Sequence, residues 1–346
     1  MLTMNVPVIQ PSSPRPSRTP GANRRTRLID GHGRRIYHLR LSVTSACNLR
    51  CVYCKPRAEE GGARQLTDRN RVELVGHLYE RYGLNQVRVT GGEALLYPRL
   101  LELIASIRET APDMALAMTT NAQGLADQAI ALRQVGLNRL NISIDTLDPG
   151  RYRAITGGEL RPVLEGIEAA IAAGFAPPKL NSVVLRGEND TEIAKLAAWA
   201  FERGCEMRFL EAMPIGPAAD VNRRLFVSAD EIEARLREQF TLVPLRVELG
   251  ATALRFTAEG STGRGTVGVI APMTKPFCGS CGRVRLTAHG RLYPCLLDHR
   301  FADLRPAWGE GRFDAQFADS LIRTVVEQKK LQGPNVQSAA MVSLGG

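Results

Sequence analysis

The sequence contains no long apolar run, and this limits the kinds of protein it can be. None of its 346 residues lies in an uninterrupted run of about eighteen apolar residues, so we expect no membrane-spanning helix. The N-terminus also lacks the apolar segment of a secretory signal. We therefore expect a cytoplasmic protein without a membrane partner.

Acidic residues are almost missing from the first forty positions. This segment holds eight arginines and a single acid, Asp30, so it carries most of the net charge of +10. Such a charge can indicate nucleic-acid binding, but the rest of the chain is nearly balanced, which argues against that function. Because the segment is also rich in Pro and Ser, we predict a disordered basic tail over residues 1–35.

The cysteines lack the pattern of a disulfide framework. Their number, seven, is odd, and six of them fall in two tight clusters. Secreted scaffolds normally carry an even number of spaced cysteines, so we expect a reducing compartment. The remaining cysteine, Cys205, is predicted to be a core residue.

The first cluster has three cysteines and no fourth. Cys47, Cys51 and Cys54 follow a CxxxCxxC spacing, with the aromatic Tyr53 before the last cysteine. Iron–sulfur cubanes are held by thiolates and normally use four, so three imply one iron left open for chemistry. The alternative, three thiols without a metal, is disfavoured because clustered reactive thiols are a liability.

The order of the predicted elements indicates an α/β protein. Parallel βα units with right-handed crossovers would close into a partial (βα)6 barrel of the TIM type over residues 36–220. The first helix, 66–82, is predicted to have Thr67 as its N-cap. Catalytic residues of such barrels lie at the C-terminal strand ends. The six predicted strands cover residues 39–43, 86–90, 115–119, 139–144, 179–185 and 206–210.

The pattern changes near residue 220. A linking helix is predicted over 225–240, and we predict a smaller α+β domain over residues 221–330. A tail over 331–346 ends in Gly345 and Gly346. Short strands with turn signals are predicted in the smaller domain at 242–247, 253–256, 266–270, 284–287 and 291–295, before a last helix at 314–327.

The second cysteine cluster falls in this smaller domain. Cys278, Cys281 and Cys295 again provide three thiols. We predict an auxiliary iron–sulfur cluster whose open iron holds the substrate and faces the first cluster across the barrel mouth. The alternative is a structural zinc site, which would need His289 or His299 as its fourth ligand.

Basic residues in the predicted strands indicate an anionic substrate. Arg283 and Arg285 alternate on one face of a strand that follows Cys281. A buried guanidinium is costly unless it meets an anion, and its planar fork suits phosphate oxygens. Several such groups together suit a triphosphate. The other cations in or beside predicted barrel strands are Arg40, Arg88, Lys179 and Arg208.

These motifs resemble those of known enzymes. The CxxxCxxC cluster with Tyr53 resembles the signature of the radical S-adenosylmethionine (SAM) enzymes. Over residues 35–346 the chain resembles, more narrowly, the molybdenum cofactor biosynthesis protein A family. The stretches that carry this resemblance are 40–44, 88–93, 119–121, 141–146, 179–181, 207–211, 213–214, 283–287 and the Gly-Gly end.

The resemblance implies a set of site residues. A catalytic [4Fe-4S] cluster would be held by Cys47, Cys51 and Cys54, and an auxiliary [4Fe-4S] cluster by Cys278, Cys281 and Cys295. The residues implied to contact SAM are Tyr53, Gly92, Ser143 and Met213. Those implied to contact GTP are Arg40, Arg88, Thr119, Lys179, Arg208, Arg283 and Arg285, of which the last two are also catalytic. The C-terminal Gly345 and Gly346 would reach into the active site.

The activity implied by the resemblance is that of a GTP 3′,8-cyclase. A 5′-deoxyadenosyl radical from SAM would take the ribose C3′ hydrogen, and C3′ would then bond to guanine C8. The product would be (8S)-3′,8-cyclo-7,8-dihydroguanosine 5′-triphosphate, made in the first step of molybdenum cofactor biosynthesis. The implied partners are GTP, an external electron donor and the downstream cyclic pyranopterin monophosphate synthase, with a homodimer as one oligomeric state.

Several positions depart from the family pattern. Gln86 replaces a lysine and so removes one phosphate-binding charge. Two alternatives therefore stay open: a divergent radical SAM enzyme that acts on another substrate, such as a peptide, and a non-catalytic protein stabilised by metal. The other departures are Ser45 and Ala46 for Asp-Arg, Lys55 for Met, Ala94 for Pro and Gly282 for Asn.

Overall fold

The computed structural model describes residues 25–54, 65–248 and 250–331. The Gly-Gly end that was predicted to reach the active site therefore lies outside the described residues. The helices of the described residues are α1 Asp68–Tyr82, α2 Leu100–Thr110, α3 Ala129–Gln134, α4 Pro149–Thr156, α5 Leu160–Ala172, α6 Ile193–Glu202, α7 Ala219–Arg224, α8 Ala229–Arg237 and α9 Ala315–Glu327. Among them, none combines the length and the apolar character needed to traverse a bilayer.

The strands of the described residues form one sheet in the order β12-β11-β10-β1-β2-β3-β4-β5-β6-β9-β8-β7. Their bounds are β1 His38–Ser42, β2 Gln86–Thr90, β3 Ala115–Thr120, β4 Arg139–Ser143, β5 Lys179–Val184, β6 Glu206–Glu211, β7 Thr241–Pro244, β8 Leu254–Gly260, β9 Gly263–Ile270, β10 Arg283–Leu286, β11 Arg291–Tyr293 and β12 Ala302–Asp303. From β1 to β6, neighbours in the chain pair in parallel. This arrangement confirms the predicted partial barrel, because successive βα units place their strands side by side.

The C-terminal strands extend both edges of this barrel sheet. β10 pairs in parallel with β1, and β9 pairs in parallel with β6. The remaining strands add antiparallel pairs outside these two. The predicted division near residue 220 thus separates strands that share one sheet, and the domain limits remain predictions.

Alternation along the strands decides which side chains reach the barrel interior. Leu39 and Leu41 of β1 are fully buried in the main hydrophobic core, whereas Arg40 between them faces the other way and lines an interior cavity. Arg88 lies between two buried valines of β2 in the same manner. Burial of an aliphatic side chain stabilises the folded state by roughly 1.5–3 kcal/mol. The aliphatic residues therefore decide which face of the strand points to the core, and the arginines between them point to the cavity.

Capping residues explain where two helices begin. Thr67 caps α1 through a capping box with Asn70, which confirms the predicted N-cap, and Gly83 ends the helix with a φ of 65°. The helix predicted over 225–240 begins too early, because Ser228 starts α8 with a capping box of its own. A polar residue that binds the free N–H groups of the first turn determines where a helix begins, even when the apolar periodicity extends further towards the N-terminus.

Residues 28–36 differ from the tail that was predicted for residues 1–35. Leu28, Asp30 and Arg34 are buried, and Arg34 Nε lies 2.6 Å from Asp30 Oδ2. A basic composition suggested disorder, but the only acid of the segment neutralises one of its arginines inside the protein. We therefore place the start of the folded region before residue 28.

Candidate active site

A cavity of about 1260 Å³, with its open mouth included, lies inside the barrel. The strands from β1 to β6, together with β9 and β10, all contribute to its wall. The wall carries several positive charges, and a concave, positively charged site suits an anionic small molecule. Its cationic lining residues are Arg40, Arg88, Arg208, Arg283, Arg285 and Lys329.

Three of these arginines lie side by side on neighbouring strands. Arg40 of β1 is in register with Arg285 of β10 on one side and with Arg88 of β2 on the other. Paired strands are about 4.8 Å apart, and burial together with the repulsion from the charges of Arg285 and Arg88 holds the pKa of Arg40 well below its usual range. A bound anion would offset that repulsion.

Arg88 carries an unsatisfied donor in this row. Its Nε is buried and has no hydrogen-bond partner among the described residues. Burial, reinforced by the charges of Arg208, Arg283 and Arg285, lowers the pKa of Arg88 to about 10. The guanidinium therefore stays charged at neutral pH in surroundings that disfavour the charge, as expected of an anion-binding group.

Farther round the barrel wall, Glu206 supplies a counter-charge. Its carboxylate accepts hydrogen bonds from Arg208 Nε (2.6 Å) and Arg255 Nη2 (3.1 Å), and its Oε2 lies 3.9 Å from Lys179 Nζ. Burial and the charge of Arg208 lower the pKa of Lys179 to about 8, although Glu206 opposes the shift. Lys179 thus belongs to a charged network that adjoins the cavity.

The first cysteine cluster follows β1, in a loop that continues the β1–β2 ladder. Gly92 N donates to Thr44 O (2.9 Å), and Glu93 N donates to Ala46 O (2.8 Å). A Cβ atom at Gly92 would lie 2.2 Å from Ala46 O, so only glycine permits this approach. The Gly-Gly pair therefore positions the backbone that leads into Cys47.

Glu93 joins this loop to the end of β3. Its carboxylate accepts hydrogen bonds from Thr120 Oγ1 (2.7 Å) and from the backbone of Asn121 (2.6 Å). Asn121 Nδ2 in turn donates to Asn48 Oδ1 (2.8 Å), next to Cys47. Glu93 was predicted only as part of the stretch 88–93, because the donors to its carboxylate, Thr120 and Asn121, are distant in the chain.

A second network holds two residues that were predicted to contact SAM. Tyr53 donates its hydroxyl to Asp145 Oδ2 (2.7 Å), and Asp145 Oδ1 accepts from Val183 N (2.9 Å). Asn222 Nδ2 donates to the carbonyls of Tyr53 (3.0 Å) and Met213 (2.6 Å). Asn222 was missed because α7, which carries it, was not predicted.

Asparagine side chains on the cavity wall were also missed. Asn141 and Asn181 line the cavity from β4 and β5. The Oδ1 atoms of Asn181 and Asn222 are buried and have no partner among the described residues, so they can accept hydrogen bonds from a ligand. The signal for Asn141 was its position between Leu140 and Ile142, two apolar residues of a strand, which turns it to the opposite face.

The second cysteine cluster also lines the cavity. Cys278 and Cys281 precede β10, and Cys295 follows β11. Arg283 donates from Nε and from Nη2 to Cys281 Sγ, each at 3.3 Å. Burial opposes ionisation of this thiol, but the charges of Arg283 and Lys329 outweigh it and lower the pKa of Cys281 to about 6.

The two cysteine clusters lie at opposite ends of β1. Arg283, two residues after Cys281, pairs with the first residue of β1, whereas Cys47 follows the last. Because β10 runs parallel to β1 and is preceded by Cys278 and Cys281, the two cysteine sets lie towards opposite ends of β1, and the expectation that the clusters face each other across the barrel mouth stays a prediction. The cavity wall includes the auxiliary cysteines and, from the first cysteine loop, Tyr53.

The donor sets fit iron–sulfur clusters better than zinc. All three cysteines of each set are free, and burial raises the pKa of Cys47, Cys51 and Cys54, so a nearby cation would favour their thiolate forms. Among the described residues, no three His, Cys, Asp or Glu side chains lie close enough together to hold a single ion. The proposed fourth zinc ligands, His289 and His299, do not line the cavity.

The predicted ligand-binding residues divide into two groups. The cavity wall includes most of them, whereas Gly92 and Ser143 lie at the ends of β2 and β4, and Lys179 is the first residue of β5. These three do not line the cavity, and the individual roles of all the site residues remain predictions. The predicted residues on the wall are Arg40, Tyr53, Arg88, Thr119, Arg208, Met213, Arg283 and Arg285.

Two family matches cover most of the chain. Residues 41–200 match the radical SAM superfamily, and residues 205–333 match the family described as Molybdenum Cofactor Synthesis C. The first match contains the CxxxCxxC cluster and the second contains the auxiliary cysteines. Both cysteine sets are therefore accounted for by known families.

Curated relatives resemble the chain over nearly their whole length. A GTP 3′,8-cyclase of Paenarthrobacter nicotinovorans is 41% identical over 305 residues, which cover 84% of this chain and 86% of the relative. A GTP 3′,8-cyclase of Streptomyces coelicolor is 40% identical over 299 residues, with 84% and 86% covered. Among solved structures, Streptococcus suis SuiB bound to S-adenosylmethionine has a TM-score of 0.56 at 14% identity over 84% of this chain and 69% of that one. At this identity the likeness concerns the fold alone.

Proposed function

The chain belongs to the radical SAM superfamily and, within it, to the GTP 3′,8-cyclase family, and we propose that its arginine-lined cavity binds GTP for that reaction. The protein is a radical SAM enzyme with a SAM-binding [4Fe-4S] cluster and an auxiliary cluster, and it acts in molybdenum cofactor biosynthesis. The cavity wall includes the auxiliary cysteines and Tyr53 of the first cysteine loop, which supports a substrate site close to both cysteine sets.

The arginine row carries the proposal for the substrate. Arg285, Arg40 and Arg88 occupy one register line across three strands, and Arg88 has a buried donor without a partner among the described residues. A triphosphate presents several charged oxygens along one edge, which matches a row of guanidinium forks. The replacement of a family lysine by Gln86 removes one charge beside this row but leaves the row itself complete.

The residues of this chain bind, orient and shield the reactants. SAM and its cluster, when bound, supply hydrogen abstraction at the ribose C3′, which permits the bond from C3′ to guanine C8. The Asp145 and Asn222 networks hold Tyr53 and Met213 on the wall that is predicted to contact SAM. Apolar wall residues such as Val183, Leu210 and Ile270 exclude water from the cavity, which suppresses side reactions of reactive intermediates.

The proposal extends to the protein's partners, compartment and oligomeric state. We infer an external electron donor, since reductive cleavage of SAM consumes an electron that the chain does not generate. The product is proposed to pass to a cyclic pyranopterin monophosphate synthase in the cytoplasm. A homodimer is proposed as the oligomeric state. A peptide substrate is not favoured, because it gives the arginine row no role.

An anaerobic turnover assay tests the proposal. Cluster-reconstituted protein is incubated with SAM, dithionite and GTP, and mass spectrometry follows 5′-deoxyadenosine and the 3′,8-cyclised nucleotide. We expect both products, and we expect both to disappear in Cys51→Ala. Deoxyadenosine without cyclised nucleotide would contradict the substrate assignment while keeping the radical SAM chemistry.

A further inference from the structure

The auxiliary cysteines lie on strand ends that the β-ladder does not hold together. Cys281 precedes β10 and Cys295 follows β11, and these two strands pair up to Arg285 and Tyr293. The residue after Tyr293 is Pro294, which has no N–H to donate, so the ladder ends there. The segments that carry the cysteines therefore need another connection.

Lys329 provides that connection. Its Nζ donates to the carbonyl oxygens of Arg283 (2.9 Å) and Pro294 (2.7 Å), one on each segment. The residue is only 2% exposed, and a buried ammonium is costly unless its N–H groups are bonded. The two carbonyl acceptors offset much of this cost. The positive charge of the ammonium lowers the pKa of the Cys278 and Cys281 thiols, although burial raises it.

Arg34 holds the remaining cysteine and the backbone of Lys329. Its Nη1 donates to the carbonyl of Cys278, and its Nη2 donates to the carbonyls of Lys329 (3.1 Å) and Lys330 (2.9 Å). Its Nε donates to Asp30 Oδ2 (2.6 Å). Arg34 and Asp30 are 7% and 5% exposed. The guanidinium is thus fixed by the protein itself.

We propose that Arg34 and Lys329 are positioning residues that hold the three auxiliary cysteines in the arrangement needed to bind the auxiliary cluster. The proposal rests on the family assignment, which implies that cluster. Through these two side chains, the segment that precedes β1 and the segment that follows α9 are both bonded to the cysteine-bearing loops. Lys329 also places a positive charge beside the thiolates, and outer partners of this kind are known to tune metal sites.

Iron content and electron paramagnetic resonance of the full-length, reconstituted protein test this role. Wild type and Lys330→Met, whose side chain is exposed, are expected to hold about eight irons per chain, and Lys329→Met about four, as for one remaining [4Fe-4S] cluster. The spectrum of the reduced auxiliary cluster should be absent from Lys329→Met. The variant should still cleave SAM to 5′-deoxyadenosine, because the first cysteine loop is untouched.

Two further variants separate positioning from general stability. Lys329→Arg keeps the charge and the donors, so we expect it to retain most of the auxiliary iron. Arg34→Gln acts from another segment and should show the same selective loss as Lys329→Met. The proposal is overturned if Lys329→Met keeps both clusters with an unchanged spectrum. It is also overturned if both positions lose both clusters together, since that would indicate general unfolding.

These readouts do not depend on the substrate. A wild-type protein with about eight irons that fails to cyclise GTP would contradict the proposed function and would leave the comparison of Lys329→Met with Lys330→Met valid. Conversely, normal cyclisation with a full auxiliary cluster in Lys329→Met would contradict the positioning role alone.

Discussion

At the scale of single residues, Arg88 shows how burial prepares a side chain for one kind of ligand. Its pKa is lowered to about 10 by burial and by the charges of neighbouring arginines, and its Nε lacks a partner among the described residues. A bound anion would both stabilise the buried positive charge and accept the hydrogen bond of the unpaired Nε. The free protein thus carries a local cost that only binding removes, so part of the affinity is already built into the fold.

Replacement of Arg88 by alanine should therefore weaken GTP binding. A hydrogen bond to a charged group contributes about 1.5–3 kcal/mol, so we expect KM for GTP to rise by ~10- to 100-fold. Steady-state kinetics with varied GTP measure this, and Arg161→Ala, whose side chain is 88% exposed, is the matched control. An unchanged KM in Arg88→Ala would place the triphosphate elsewhere.

The lowered pKa of Lys179 predicts that kcat/KM for GTP depends on pH. Burial and Arg208 lower its pKa to about 8, so the amine is charged below that pH and neutral above it. If the charge contacts GTP, kcat/KM, which reports the free enzyme, should fall as the pH rises through about 8. Lys179→Arg keeps its charge and should move this fall to higher pH. The same profile in both proteins would assign the titration to another group.

At the scale of elements, the turn after β2 governs the first cysteine loop. The two loops pair through the backbone of Gly92 and Glu93, and they approach so closely that a Cβ atom at Gly92 would meet Ala46 O at 2.2 Å. The obstacle is backbone, which cannot rotate away as a flexible side chain would. The loop that carries Cys47 would have to move as a whole.

Gly92→Ala should therefore disrupt the first cluster selectively. We expect about four irons per chain instead of about eight, and loss of 5′-deoxyadenosine formation. Gly309→Ala is a suitable control, since a Cβ there meets nothing within 4 Å. Normal SAM cleavage by Gly92→Ala would show that the loop tolerates the displacement.

At the scale of the whole molecule, the segment that precedes β1 contributes buried residues to the fold from Leu28 onward. Removal of residues 1–27 should leave turnover unchanged, because the described residues among them, 25–27, are exposed, and the contact of Arg25 with the Tyr79 ring is worth about 0.5–1 kcal/mol at an exposed site. Removal of residues 1–36 also deletes Asp30 and Arg34, and it should abolish the auxiliary cluster. Equal iron content in the two truncated proteins would contradict this expectation.

Much of the barrel and of the site was predictable because its signals are local. The cysteine spacing, the cap at Thr67 and the arginines between apolar strand residues are each contained in short windows of sequence. The assignment of GTP as substrate came from the resemblance, and the curated relatives agree with it.

The remaining features depend on contacts between distant parts of the chain. The pairing of β10 with β1 joins residues more than two hundred positions apart, and nothing in either strand specifies the partner. Lys329 was not predicted as a site residue, because its acceptors, the carbonyls of Arg283 and Pro294, are backbone atoms of segments distant in the chain.

The position of β9 and β10 at the two edges of the barrel sheet has a consequence for synthesis on the ribosome. When β6 is complete, the outer edges of β1 and β6 still lack their partners. At 5–20 residues per second, β10 follows the end of β6 by roughly 4 to 15 s. During that interval two strand edges can pair with other nascent chains, so a polypeptide cut after β6 is expected to aggregate.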